Sequence, residues 1–215
     1  LLKEKNKKGW KYLDKVISYF QKAGLYCILD MHAAPGSQNC DWHSDSSGRA
    51  LLWENESYRK EYIRLWEQIA KRYAKVSCIA GYDVLNEPVT KNLKLLRQLY
   101  HDVIESVRRY DDSHIIFLEG NNWGQDVDFI LPIDDKNIAI SIHFYLPLDY
   151  VFNFNPHLIY PGMIDGVLWN KRRIRSSLAP YKKIKDKYEK PLFVGELGIA
   201  MRCPVCQSEL KWVED

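Results

Sequence analysis

The chain has 215 residues, 46% of them hydrophobic and 13% aromatic, so we expect a single domain over residues 1–215 with one substantial core. Its 31 lysine and arginine residues nearly balance its 28 aspartate and glutamate residues, and no basic stripe is interleaved with stacking aromatics, which argues against nucleic acid as a partner. No stretch approaches the roughly 18 apolar residues of a membrane span, so we expect no membrane partner either.

Two hydrophobic periods alternate along the chain. Apolar residues three and four positions apart predict helices, and short uninterrupted apolar runs predict buried strands. The first pair is a helix over 10–20, closed by Gly24, and a strand over 25–29. Further helices are predicted near 58–73, 93–107 and 174–188, the last bent at Pro180, and further strands at 79–85, 115–118, 138–142 and 192–194.

Continuous apolar strands separated by helices indicate a parallel sheet covered by helices, either doubly wound or closed into a barrel. Polar residues follow several different strands, which is typical of a barrel, whereas a doubly wound sheet gathers its site at one switch point. No glycine-rich phosphate loop favours the second alternative. We therefore predict an α/β fold of the (β/α)8 barrel type. The polar strand-end residues are Asp30, His32, Asn86, Glu87, Glu119, His143, Tyr145 and Glu196.

The length does not fit a whole barrel with units of this size. The strand units between residues 25 and 196 take about 40 residues each, and eight of them would need well over the roughly 250 residues typical of the fold. We therefore expect a partial catalytic domain, with the first, second and eighth strands outside the chain.

The cysteines form an odd and uneven set, which does not imply a disulfide framework. Cys203 and Cys206 have the spacing of a zinc knuckle or a redox pair, but a zinc site needs a second pair of ligands and none follows. We interpret them as an incidental pair in a loop and predict no metal site.

Two segments place a glutamate directly after an apolar strand. Glu87 lies between Asn86 and Pro88, and Glu196 lies between glycines that let a ligand approach closely. Each segment alone is also compatible with an ordinary strand-ending turn, because Asn, Pro and Gly are common turn residues.

Together these segments resemble glycoside hydrolase family 5, the cellulase family, and the resemblance extends over nearly the whole chain. The family carries a His after its third strand, Asn-Glu-Pro after its fourth, His-x-Tyr after its sixth and Gly-Glu-x-Gly after its seventh. The loop over 33–39 also resembles that of many glucanases in the family. The matching residues, in chain order, are His32, Asn86, Glu87, Pro88, His143, Tyr145, Gly195, Glu196 and Gly198.

The resemblance implies a retaining endo-type β-glycosidase that hydrolyses β-linked glucan by double displacement, without a cofactor or a metal ion. Glu87 would be the acid/base and Glu196 the nucleophile, with their carboxyls about 5 to 5.5 Å apart. The partner would be a β-linked polysaccharide or oligosaccharide. The family also implies an extracellular location and a monomeric full-length form.

The remaining matches imply contacts with the sugar and the nucleophile. His143 and Tyr145 would hold and polarise the nucleophile or bridge to the acid. Asn86 would hydrogen-bond the sugar hydroxyl next to the anomeric carbon, and His32 would line the same subsite. For each histidine the alternative is a satisfied structural residue.

Loop aromatics are candidate sugar platforms, because the C–H face of a pyranose packs on an indole or phenol ring. Trp123, at the end of a strand, is the first choice, and each candidate has the alternative of being a loop anchor. The family's Arg near the second strand and Trp after the eighth have no counterpart here, and Trp212 falls too early to be that Trp. The other candidates are Trp42, Tyr150, Phe152 and Trp169.

Two rival functions stay open. A truncated barrel could be inactive or retain only carbohydrate contacts. A metal-dependent barrel hydrolase is suggested by the run from Asp41 to Asp45 with His32 and His143, although such enzymes usually open with two histidines separated by one residue, and only His32 is present at that place.

Overall fold

The computed structural model describes residues 7–201 and 207–215, and it divides into two compact units, Leu1–Ser141 and Ile142–Asp215. In the first unit, helices and strands alternate as the apolar periods predict. The elements are α1 Lys7–Ala23, β1 Cys27–Asp30, α2 Leu51–Glu54, α3 Glu56–Tyr73, β2 Ile79–Asp83, α4 Leu93–Arg108, β3 Ile115–Glu119, α5 Asn121–Gly124 and the start of β4, Ile138–Phe144.

The strands of the first unit form a parallel sheet in the order β1-β2-β3-β4. Buried faces of α3 and α4 cover it, because their apolar residues recur three and four positions apart. Tyr62 and Trp66 of α3 both donate hydrogen bonds to the carbonyl of Val84, just beyond β2. These buried donors hold the end of β2 at a fixed place, and the chain continues from there into Asn86 and Glu87.

The second unit contains the end of β4, followed by α6 Leu148–Val151, β5 Gly162–Ile164, β6 Val167–Trp169, α7 Lys171–Tyr188, β7 Leu192–Leu197 and α8 Gln207–Glu214. β7 is the neighbour of β4 in the sheet, and β5 and β6 form an antiparallel hairpin. The unit has its own apolar core, in which Phe144 stacks on Trp212. The other buried members of this core are Tyr150, Val151, Tyr160, Ile164, Trp169 and Ile174.

The predicted strands are confirmed with shifted bounds. Leu25 and Tyr26 are 57% and 75% exposed and lie outside β1, so the predicted start of that strand at residue 25 is wrong. Gly24 ends α1 with a positive φ of 66°, and the two residues after it belong to the turn. α7 runs through Pro180 as one helix, and the hairpin at 162–169 was not predicted.

Among the described residues, no helix is long and apolar enough to cross a membrane.

Candidate active site

Glu87 follows β2 in a backbone conformation that is unusual for a residue with a side chain. Its φ is +47°, in the left-handed region that normally favours glycine. Two buried hydrogen bonds hold this conformation: the Glu87 amide donates to Oε2 of Glu119 at 2.8 Å, and the Glu87 carbonyl accepts from Nδ2 of Asn39 at 2.9 Å. Strained residues held by their surroundings are concentrated at functional sites. The carboxyl of Glu87 is therefore presented by a backbone that the end of β3 and the loop after β1 hold in place.

Asn86 is almost fully buried, with 1% of its surface exposed, and its side-chain Nδ2 makes no hydrogen bond to the described residues. A buried amide donor without a partner is costly, so native proteins rarely keep one without a reason. Gln38 fixes the backbone here, because its Nε2 donates to the carbonyls of Asn86 at 2.7 Å and His32 at 2.9 Å. The amide of Asn86 is thus a preformed donor beside Glu87.

The loop after β1 lies against Glu87. Nε2 of His43 is 3.0 Å from Oε2 of Glu87, and both side chains are mostly buried. His32 lies at the end of β1 with its Nδ1 2.9 Å from Oδ2 of Asp30, which orients an imidazole that is half exposed. His32 therefore contributes a ring to the accessible rim of the site, while His43 contacts the carboxyl itself.

Trp123 is held at the end of β3 by a hydrogen bond between loops. Its indole Nε1 donates to Oδ2 of Asp41 at 2.7 Å, and its φ is +57°. Trp123 nevertheless remains 42% exposed, and Trp42 is 86% exposed. Both indoles are open to a ligand, as a sugar platform requires, and the hydrogen bond to Asp41 fixes the indole of Trp123.

In the second unit, Glu196 of β7 accepts a hydrogen bond from the hydroxyl of Tyr145. Tyr145 Oη donates to Oε2 of Glu196 at 2.9 Å, and Nδ1 of the buried His143 lies 3.4 Å from the same oxygen. A hydrogen bond from a phenol fixes the orientation of the carboxylate that accepts it. The structure thus brings together the three residues that the sequence assigned to the nucleophile.

The loop aromatics of the second unit divide into two groups. Tyr150 and Trp169 are only 4% and 7% exposed and belong to the core, so the loop-anchor alternative holds for both. Phe152 is 44% exposed, lies 5.2 Å from the ring of Tyr145 and stacks with Phe154. Phe152 therefore remains a candidate platform.

Sequence reasoning did not assign Gln38 and Asn39 individually, and it considered His43 only as a metal ligand. All three lie in the run Ser37-Gln38-Asn39-Cys40-Asp41-Trp42-His43, whose density of polar residues was the available signal. The predicted incidental pair, Cys203 and Cys206, lies outside the described residues. The described cysteines, Cys27, Cys40 and Cys78, are free thiols.

Similarity to known proteins extends over nearly the whole chain. A family model described as Cellulase (glycosyl hydrolase family 5) matches residues 3–214. A beta-xylosidase from Phanerodontia chrysosporium is 35% identical over 193 residues, covering 88% of this chain and 39% of the xylosidase. Endoglucanase C from Acetivibrio thermocellus is 25% identical over 238 residues, covering 96% of this chain and 68% of the endoglucanase.

A solved glycoside hydrolase structure superposes with a TM-score of 0.82 at 20% identity, covering 97% of this chain and 66% of that chain. The chain therefore spans about two fifths to two thirds of the length of these proteins. The structural likeness supports the barrel fold.

Proposed function

Since this chain belongs to the cellulase family, glycosyl hydrolase family 5, whose fold is the (β/α)8 barrel, we propose that it carries the acid/base and the nucleophile of a retaining β-glycosidase. Glu87 is the acid/base and Glu196 the nucleophile. The observation that carries the proposal is the left-handed backbone of Glu87, which follows Asn86, a buried residue whose side-chain Nδ2 has no hydrogen-bond partner among the described residues.

The first chemical step forms the covalent intermediate. The Glu196 carboxylate attacks the anomeric carbon while Glu87 donates its proton to the glycosidic oxygen, whose bond to that carbon breaks. The hydrogen bond from Tyr145 supports this role, because it orients the nucleophile. Nδ2 of Asn86 donates to the adjacent sugar hydroxyl, which would satisfy the buried amide.

The second step releases the sugar with its original configuration. The ionised Glu87 removes a proton from water, the water oxygen bonds to the anomeric carbon, and the bond to Glu196 breaks. Glu87 thus alternates between the acid and the carboxylate, so its carboxyl must keep its position in both states.

We propose a β-linked glucan as substrate, cleaved internally. The relatives support β-linked glycans in general, because they include an endoglucanase and proteins named glucan 1,3-beta-glucosidase. The second candidate is a β-xyloside, favoured by the 35% identity to the beta-xylosidase. By family membership we also propose an extracellular, monomeric full-length protein.

The test uses the protein expressed with any natural sequence that flanks these residues, on a panel of aryl β-glycosides and β-glycans. Glu196→Ala should abolish turnover, and added azide should then yield a glycosyl azide of inverted configuration. Glu87→Ala should lose far more activity on poor leaving groups than on activated aryl ones. Glu105→Ala, at an exposed position of α4, is the matched control. Identical leaving-group profiles for the two active-site variants would contradict the assignment.

A further inference from the structure

His43 contacts the proposed acid/base through a side chain that the family motifs do not include. It lies in the short 3-10 helix Trp42–Ser44, after β1, and its Nε2 is 3.0 Å from Oε2 of Glu87. The side chains of His43 and Glu87 are only 19% and 11% exposed, so water weakens their interaction little. Because this contact is mostly buried, it matters which of the two side chains donates the hydrogen bond and which accepts it.

Asn39 determines which atoms face the imidazole. Its Oδ1 accepts from the amide of Asp41 at 2.9 Å, so its Nδ2 is the donor that bonds the Glu87 carbonyl at 2.9 Å and lies 3.0 Å from Nε2 of His43. When His43 is neutral with its proton on Nδ1, its Nε2 can accept a hydrogen bond from Asn39 or from the protonated carboxyl of Glu87. When Nε2 carries a proton, it donates instead to the Glu87 carboxylate.

This versatility matches the two states of an acid/base residue. A carboxylic acid needs an acceptor for its proton and a carboxylate needs a donor, and imidazole is one of the few side chains that can be either. Lysine or arginine at this place would serve only the ionised form. A partner that suits both forms can keep the carboxyl in one orientation throughout a double displacement.

The imidazole of His43 is itself held by rings. The ring of His32 lies 6.1 Å away at 61°, and the ring of Trp42 lies 5.9 Å away at 83°, so both approach edge-on. Among the described residues of the first unit, Glu87 and His32 are titratable groups in contact with His43, and His32 in turn contacts Asp30. The orientation of His43 is therefore built into the loop.

We propose that His43 is a positioning residue that holds the Glu87 carboxyl in both of its protonation states. The inference rests on the proposed function, since it concerns the acid/base of that reaction. In the proposed reaction His43 acts on the Glu87 carboxyl and not on the bonds that break. Its loss should therefore affect proton transfer to the leaving group and leave attack by Glu196 intact.

The experiment measures kcat and KM on aryl β-glycosides that differ in leaving-group acidity. His43→Phe keeps the ring volume and removes the hydrogen bond, and it should lower kcat on poor leaving groups by about 10- to 100-fold, as small misplacements of catalytic groups do. The loss on dinitrophenyl glycosides should stay below about threefold, with KM little changed, because such leaving groups need no proton. His43→Gln, whose amide can donate or accept, should recover most of the loss.

His101→Ala, which removes an exposed histidine of α4, is the control and should match the wild type. If His43→Phe does not fold, His43→Ala with added imidazole replaces it, and imidazole should restore cleavage of the poor substrates. An unchanged profile, or an equal loss on all leaving groups, would overturn the inference while Glu87→Ala still showed its own signature. A wild-type protein without glycosidase activity would instead overturn the proposed function, and the inference with it.

Discussion

The hydroxyl of Tyr145 donates a hydrogen bond of 2.9 Å to Oε2 of Glu196, the same oxygen that Nδ1 of His143 approaches to 3.4 Å. A carboxylate that attacks an anomeric carbon must point one oxygen forward, and donors on the other oxygen fix that direction. The side chain of Glu196 is 34% exposed, so its orientation depends on contacts such as these.

Removal of the Tyr145 hydroxyl should therefore slow formation of the covalent intermediate. We expect Tyr145→Phe to lower kcat by about 10- to 100-fold on activated and poor leaving groups alike, because attack by the nucleophile is needed for both. Steady-state rates on the aryl glycoside series measure this. Tyr12→Phe, at a position of α1 that is 67% exposed, is the control. A loss confined to poor leaving groups would show that Tyr145 serves the acid instead.

The hydrogen bond from Trp123 to Asp41 leads to a prediction about sugar binding, if Trp123 is a sugar platform. Asp41→Ala leaves the indole in place but removes its orienting acceptor, so we expect KM for oligosaccharides to rise about threefold to tenfold, while Trp123→Ala raises it further. Aryl monosaccharides that do not reach the platform should show little change. The double variant should be no worse than Trp123→Ala, and additive effects would mean that the two residues act separately.

The alternation of helices and strands was predictable because apolar spacing reports which face of each element is buried. Glu87 and Glu196 could be predicted as candidates for a similar local reason, since each lies near the C-terminal end of a strand within a short motif. The contacts of Gln38, Asn39 and His43 could not, because they join residues more than 40 positions apart. The strain at Glu87 is equally invisible in the sequence, since it depends on an acceptor and a donor supplied by Glu119 and Asn39, which are distant along the chain.

The hairpin β5–β6 is a different kind of omission, because its signal was local. Asp165 and Gly166 both have positive φ, 51° and 73°, as the turn of a two-residue hairpin requires. Asp-Gly between short apolar runs is a strong signal of such a turn. The strands have only three residues each, too few for the period-two alternation to register.

Asp111 provides a stability prediction away from the candidate site. Burial opposes ionisation of this carboxyl, but hydrogen bonds from the Tyr82 hydroxyl, His114 and Ser113 outweigh it, so the pKa of Asp111 lies below its ordinary value. A lowered pKa stabilises the folded state above the unfolded value of about 3.9 and loses that contribution as the pH falls through the folded value.

We expect Asp111→Asn to lower the free energy of unfolding by about 2 to 4 kcal/mol at pH 7, because it leaves buried donors without their charged acceptor. The difference from the wild type should shrink as the pH falls below about 4. Urea unfolding followed by circular dichroism between pH 7 and pH 3 measures both. Asp128→Asn, at an exposed position, should have no such effect. A difference that stayed constant down to pH 3 would contradict the role of the charge.

Substitution of Glu119 tests whether the strained backbone of Glu87 matters for activity. Oε2 of Glu119 accepts a hydrogen bond from the Glu87 amide at 2.8 Å. The backbone carbonyl of Glu119 accepts a hydrogen bond from the Tyr100 hydroxyl at 2.7 Å, which fixes the backbone of Glu119. Glu119→Ala would leave a buried N–H unsatisfied and release the φ of +47° toward the right-handed region. The carboxyl of Glu87 would then turn away from the position that His43 and Asn39 define.

We expect Glu119→Ala to lower kcat by about 100-fold on poor leaving groups, with a smaller loss on activated ones, since the displaced group is the acid. Glu119→Gln keeps an oxygen acceptor at the same reach, so it should retain most of the activity even though the charge is gone. A crystal structure of Glu119→Ala would report the φ of Glu87 directly. If Glu119→Gln were as damaged as Glu119→Ala, the negative charge of Glu119 rather than the backbone hydrogen bond would be the feature that Glu87 requires. If Glu119→Ala kept the left-handed φ and the full rate, contacts other than the one with Glu119 would maintain the strain at Glu87.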